Sequence, residues 1–102
     1  MSKARVEIPR EKIEEFCRKW KIREFSLFGS VLRDDFNRDS DIDALVSFDP
    51  DAPWSLFELV VMQDELMKIF DRKVDLVEKE ALKNPFRRRE ILTTREVIHA
   101  TG

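Results

Sequence analysis

Phe25-Ser26-Leu27-Phe28-Gly29-Ser30-Val31-Leu32-Arg33-Asp34-Asp35-Phe36-Asn37-Arg38-Asp39-Ser40-Asp41-Ile42-Asp43-Ala44-Leu45-Val46-Ser47-Phe48 is the stretch on which the reading of this chain turns. An apolar segment ends in a Gly-Ser pair, residues 31–40 intervene, and two aspartates at i and i+2 open a second apolar segment. Side chains at i and i+2 of a strand share a face, so a strand over 41–48 projects Asp41 and Asp43 together and sends Ile42 the other way, toward a core. Two adjacent carboxylates resist double ionisation unless a cation sits between them. Oxygen ligands with open positions suit Mg²⁺, which is usually held by one or two carboxylates plus substrate phosphates. Gly29 lets the backbone approach a ligand without a Cβ. Ser30, at the start of one or two helical turns expected over 30–35, offers a hydroxyl and nearby free N–H groups for an anion. Arg33 then falls one turn along the same helix face, where it could meet a triphosphate or a departing pyrophosphate.

This chemistry constrains the topology. If Gly29-Ser30 and Asp41/Asp43 share a site, the end of the first strand (24–28) lies beside the start of the second. Parallel neighbours would separate those positions, and ten residues are short for a parallel crossover, which takes a dozen or more. The two strands are therefore expected to be antiparallel.

Outward from this core, Ile13, Phe16, Cys17 and Trp20 recur at i, i+3, i+4 and i+7, an amphipathic helix that Pro9 could open as its first residue. Its acidic residues gather early and its basic ones late, as the helix dipole prefers. Asp49-Pro50-Asp51-Ala52-Pro53 is a turn-rich connection, and 54–70 is the longest helix candidate. Lys73-Val74-Asp75-Leu76-Val77-Glu78 reads as a third strand, joined to the second by that helix and so free to pair parallel to it. Pro85 punctuates, 86–92 reads as helix, and 96–100 fits either a helix or a short edge strand. The expected fold is a small α/β (α+β) domain spanning 1–102, with a mixed sheet of about three strands flanked by helices.

Asp75 stands between Val74 and Leu76, an expensive position for a charge without a role. Three carboxylates on neighbouring strands can hold two metal ions in an in-line arrangement, and Asp75 could also take a proton from an attacking hydroxyl. Hydrophobic residues make up 42% and charged residues 39%, with a formal net charge of −2, which favours a charged globular surface and gives no support to direct nucleic-acid binding. No apolar run reaches the ~18 residues of a membrane span, the first residues lack the apolar core of a signal peptide, and the single Cys17 excludes an internal disulfide; a cytoplasmic location is expected. Cys17 reads as a packed helix residue, His99 as incidental, and Arg87-Arg88-Arg89 as a solvated helix face that could instead reach phosphates or an acidic partner. Residues 56–62 of the long helix are apolar around most of the circumference, so part of it is expected to form a partner or homo-oligomer surface.

Gly29-Ser30, ten residues, Asp41-x-Asp43 and the later Asp75 resemble the pattern of the polymerase-β-type nucleotidyltransferase superfamily. Phe28 through Arg33, Ser40 through Asp43 and Val46-Ser47-Phe48 resemble its minimal nucleotidyltransferase (MNT) branch, and the likeness covers nearly all of the chain. The resemblance implies a polymerase-β-like fold and Mg²⁺-dependent transfer of a nucleoside monophosphate from a triphosphate to a hydroxyl. It further implies an antitoxin that adds AMP from ATP to a tyrosine of a HEPN-type toxin. Two other classes stand beside it: a non-catalytic antitoxin that binds its partner stoichiometrically, and a small-molecule nucleotidyltransferase. The three carboxylates weigh against the first, and the short length, with no second substrate domain expected, against the second.

Overall fold

The computed structural model describes residues 4–101. Its elements run α1 (Arg10–Lys19), β1 (Ile22–Phe28), a 3₁₀ turn (Gly29–Leu32), β2 (Ile42–Phe48), α2 (Leu56–Phe70), β3 (Val74–Glu78), a second 3₁₀ turn (Lys79–Ala81), α3 (Pro85–Thr94) and β4 (Glu96–Ala100). The sheet has four strands in the order β3-β2-β1-β4. β1 is antiparallel to β2 and β4, and β2 is parallel to β3. The mixed sheet and both expected pairings are present. The strand count is corrected from three to four, because 96–100 pairs along the free edge of β1.

The alternation of side chains sets two faces. Phe25 and Leu27 of β1, Ile42, Ala44 and Val46 of β2 and Val74 of β3 face α1 and α2, where they meet Ile13, Phe16, Met62 and Leu66 in the main core. At roughly 1.5–3 kcal/mol for each large apolar side chain buried, this layer supplies most of the driving force. On the other face Phe28 and Leu45 pack with Leu82 and Ile91 beneath α3. Asp43 lies two residues before Leu45 on β2, so it belongs to this second face, at the end that α3 begins to cover.

Local chemistry explains the boundaries. α1 starts at Arg10 with Pro9 as its N-cap, one position earlier in role than expected. α2 opens on a capping box, with Ser55 and Glu58 satisfying each other's ends. α3 is capped by Asn84, whose Oδ1 accepts from Phe86 N at 3.0 Å and Arg87 N at 3.2 Å. The helix expected over 30–35 is corrected: only Gly29–Leu32 forms a 3₁₀ turn, and Arg33, at φ −108° and ψ 159°, is already extended. The chain has to reverse here to bring residue 42 back beside residue 28, and a continuing helix would carry it away.

Cys17 is a core residue as expected; burial, with the nearby Glu14 carboxylate, pushes its thiol up to about 12. Behind the second face, burial raises the Glu24 carboxyl, but the hydrogen bond and charge of Arg95, with Lys79 and Ser26, more than offset this and hold it below the usual glutamate range. Arg95 Nε lies 2.9 Å from Glu24 Oε2, tying the start of β4 to β1. No described helix is long and apolar enough to cross a membrane.

Candidate active site

Three neighbouring strands deliver the candidate residues to one end of the sheet. The register sets Phe28 opposite Asp43 and Asp43 opposite Asp75, so these three lie along one line across β1, β2 and β3, and Gly29, the residue after β1, sits against Asp43. Asp41 sits one residue before β2, outside the strand in which it was expected. Ser30 Oγ donates to the carbonyl of Asp41 at 3.4 Å, bridging the two ends of the ten-residue loop. Gly29 has φ +75°, and a Cβ there would overlap Asp43 Oδ2. A glycine is therefore required twice, by the backbone angle and by the close approach of a carboxylate.

The electrostatics converge on Asp43. Burial is the largest influence raising its proton affinity, and the negative charges of Asp75 and Asp41 raise it further; Arg87 and Arg33 act in the opposite direction. Four charges are thus felt at one carboxyl group. Asp75 and Asp41 are exposed and Asp43 is half-buried. The expected burial cost at Asp75 does not arise, since β3 is an edge strand and that side chain reaches solvent. Arg33 is exposed and lies 3.5 Å from Asp35 in an ion pair; it is not on a helix face with Ser30.

The donor set fits Mg²⁺ chemically. Every ligating candidate is an oxygen, and the mutual repulsion that raises Asp43 is what a divalent cation would relieve. Among the described residues no three carboxylate, imidazole or thiolate groups converge closely enough to enclose an ion alone. An open set of this kind leaves coordination positions for phosphate oxygens and water.

Two residues matter more than the sequence suggested. Arg87 begins the basic run read as a solvated face, yet its charge reaches Asp43; Arg88 instead donates to Lys79 O at 2.9 Å. No sequence motif marks Arg72. Its Nη1 donates to the carbonyls of Asn37 at 2.9 Å and Ser40 at 3.0 Å, and its guanidinium lies 4.6 Å from the Phe36 ring centre. It pins the loop immediately before Asp41. An arginine before a strand is common, and no spacing rule marks its contact with a loop more than thirty residues away. A cleft of about 330 Å³, lined by Phe28, Gly29, Leu32, Arg33 and Ile91 among others, opens beside the 3₁₀ turn.

Residues 9–98 match the family described as "Nucleotidyltransferase domain". The candidate protein adenylyltransferase MJ0126 of Methanocaldococcus jannaschii is 33% identical over 85 residues, which is 83% of this chain and 85% of that protein. A crystal structure of a toxin–antitoxin with AMP-PNP superposes with a TM-score of 0.67 at 25% identity, over 92% of this chain and 75% of that one. A mutant MntA-containing toxin–antitoxin structure superposes with a TM-score of 0.72 at 21% identity over the same shares, a likeness of fold.

Proposed function

The chain belongs to the nucleotidyltransferase domain family, and from that premise we propose that it transfers AMP from ATP to a hydroxyl, a tyrosine in the leading case, of a partner protein. The observation that carries this reading is the alignment of Gly29-Ser30, Asp43 and Asp75 across three adjacent strand ends, with Asp41 beside them. The similarity to a candidate protein adenylyltransferase along most of both chains supports a protein as acceptor.

In the reaction, the acceptor oxygen attacks the α-phosphorus of ATP. A P–O bond forms, the bond to the β-phosphate oxygen breaks, pyrophosphate leaves, and the hydroxyl proton is given up. Asp41 and Asp43, with Asp75, would hold Mg²⁺, in a two-ion site if all three take part. The ion would supply charge neutralisation on the phosphates and a lowered hydroxyl pKa. The chain's own groups do the rest. Gly29 admits the triphosphate close to the backbone, and the Ser30 hydroxyl and nearby N–H groups orient it. Arg33 and Arg87 offset the charge that builds on pyrophosphate. Where the ion does not take up Asp75, its exposed carboxylate would accept the hydroxyl proton.

The partner we propose is a HEPN-type toxin, with this chain as its antitoxin. The superposition on a toxin–antitoxin with AMP-PNP supports that pairing and ATP as the donor. The test is the intact mass of a co-purified partner before and after ATP and Mg²⁺, with Asp43→Asn as the control. Gain of whole AMP units on the partner, absent with the variant, is the expected result. A stable complex without a mass change would replace this reading with stoichiometric neutralisation.

A further inference from the structure

Four apolar side chains on the first half of α2 stand in solvent: Leu56 is 77% exposed, Phe57 83%, Val60 63% and Val61 44%. Positions 56 and 60, and 57 and 61, are i, i+4 neighbours, so the four make one continuous patch. Met62 and Leu66 already serve the core from the opposite side of the helix. A patch of this kind on a small domain marks a binding surface more often than an accident of composition.

The patch runs into a cleft of about 440 Å³. Trp54 and Leu59 line it; Leu59 is an i+3 neighbour of Leu56, so cleft and patch are contiguous. The charged residues of the cleft are Arg23, Asp49, Glu78 and Glu80, one cation against three carboxylates. Arg23 faces Asp49 at 3.7 Å, and Glu80 accepts from Ser47 Oγ at 2.9 Å. The sequence shows the same bias. Residues 49–67 contain Asp49, Asp51, Glu58, Asp64 and Glu65 but no lysine or arginine, whereas residues 83–95 contain five basic side chains and one acidic. Among the described residues the basic helix meets this surface at one edge only, where Arg88 donates to Lys79 O between Glu78 and Glu80; Asp49, Trp54 and Leu59 line the cleft from other elements.

This charge pattern selects the occupant. A second copy docked through the same face would set Asp49, Glu78 and Glu80 near their own counterparts, because a two-fold contact pairs each patch with itself. Docking of this face on the basic helix of another copy would be heterologous and would propagate into open assemblies. A partner with an apolar anchor flanked by lysine or arginine satisfies both the patch and the cleft. Ser47 lies on the same sheet face as Asp43, four residues further along β2, or roughly 13 Å at ~3.3 Å per residue. α2 itself covers the other sheet face, so it is the cleft end of this surface, at Ser47, that shares a face with Asp43.

We propose that Leu56, Phe57 and Val60, with the adjoining Trp54–Glu78–Glu80 cleft, form the docking surface for the protein acceptor, which presents an apolar helix flanked by basic side chains. The identity of the occupant as the acceptor rests on the proposed function; the surface and its chemistry do not.

The test uses two 20-residue helical peptides, both with Leu and Phe at i, i+3, i+4 and i+7. One carries Lys and Arg at the flanking positions and the other Glu. The wild-type protein should bind the basic peptide and shift the amide signals of Trp54, Leu56, Phe57 and Val60 first. Phe57→Glu/Val60→Glu should weaken that binding at least tenfold, with binding of AMP-PNP and Mg²⁺ unchanged. Binding of neither peptide, equal binding of both, or equal binding by the double variant overturns the proposal. So does a wild-type dimer in sedimentation that the double variant dissolves, since the occupant would then be a second copy. Loss of AMP-PNP binding in the wild type, with peptide binding intact, would instead count against the nucleotidyl-transfer reading.

Discussion

The α-carbon of Gly29 packs directly against the carboxylate of Asp43, so closely that a β-carbon on Gly29 would overlap Asp43 Oδ2. The turn that would receive the triphosphate and the carboxylate that would receive Mg²⁺ are therefore in contact, and each limits where the other can sit. Gly29→Ala has to relieve both a φ of +75° and this overlap. Stability should fall by about 1–3 kcal/mol. Transfer should fall by about 100-fold, because a displacement near 1 Å at a reacting centre carries that penalty. Urea midpoints and AMP-transfer rates read the two effects separately; a variant with full transfer would show that the contact does not position Asp43.

Asp43→Asn should abolish transfer yet leave the fold at least as stable. The sign follows from the raised proton affinity of Asp43, caused by burial and then by Asp75 and Asp41. The folded chain holds this proton more tightly than the unfolded chain does. The stabilising contribution is thus complete below the ordinary value of 3.8 and is lost as pH rises through the raised folded value. The melting temperature of Asp43→Asn should therefore gain on the wild type across that window and keep a constant lead above it. Millimolar Mg²⁺ should raise the wild type above the window and leave the variant unmoved. Equal pH profiles for the two proteins would remove Asp43 from the charge cluster.

Ser30→Ala separates a ligand role from a structural one. The 3₁₀ turn has no side-chain cap, and among the described residues the Ser30 hydroxyl bonds Asp41 O at 3.4 Å. Thermal stability should change by less than about 0.5 kcal/mol, as for an ordinary surface position. Loss of one charge-assisted hydrogen bond to phosphate, about 1.5–3 kcal/mol, should weaken AMP-PNP binding about tenfold or more. A drop in melting temperature without a change in nucleotide affinity would make Ser30 a structural residue only.

Arg72→Ala should loosen the loop that leads into Asp41. Arg72 holds the carbonyls of Asn37 and Ser40 and packs on Phe36, far in sequence from the loop it restrains. Amide exchange in residues 36–41 should rise, and the Mg²⁺ concentration for half-maximal transfer should increase several-fold while the main core stays protected. Arg72→Lys keeps a donor for carbonyls that one guanidinium nitrogen holds, but loses the planar group over Phe36, and should restore the loop only in part. Unchanged exchange in the loop would refute the positioning role.

Arg95→Ala tests the tie between β4 and β1. It leaves Glu24 with Lys79 and Ser26 alone at a site where its side chain is 19% exposed. Because Lys79 and Ser26 still compensate Glu24, loss of this charged hydrogen bond should destabilise the fold by about 1.5–3 kcal/mol. Because the Glu24 carboxyl is held below its usual range, the stability it contributes is present above the unfolded glutamate value and is lost as pH falls through the folded one. Glu24→Gln should flatten that acid limb of the stability profile, and an acid limb of wild-type steepness would exclude the linkage.

Sequence and structure divide along the range of the interactions. Gly29-Ser30 and Asp41-x-Asp43 are short-range signals: a backbone angle that favours glycine, a ten-residue return, and the two-residue period of a strand. The antiparallel pairing of β1 and β2 follows from them; the long helix before β3 only permits the parallel pairing that the structure shows. Other features depend on partners that no local pattern names. The 96–100 segment is a strand because β1 has a free edge, and its five residues carry too little alternation to declare it. Arg33 leaves the helix it was expected to occupy because the chain must turn back to pair β2 with β1, through a loop that Arg72 holds. Arg87 acts on Asp43 because α3 packs over the second face through Ile91, with Leu82 of the preceding segment beside it. The apolar circumference of α2 was legible from its residues alone. That its exposed half is the end bearing Leu56, Phe57 and Val60, beside an acidic cleft, was decided only when the sheet took Met62 and Leu66 into the core, since one helix can bury only the side that its single sheet covers.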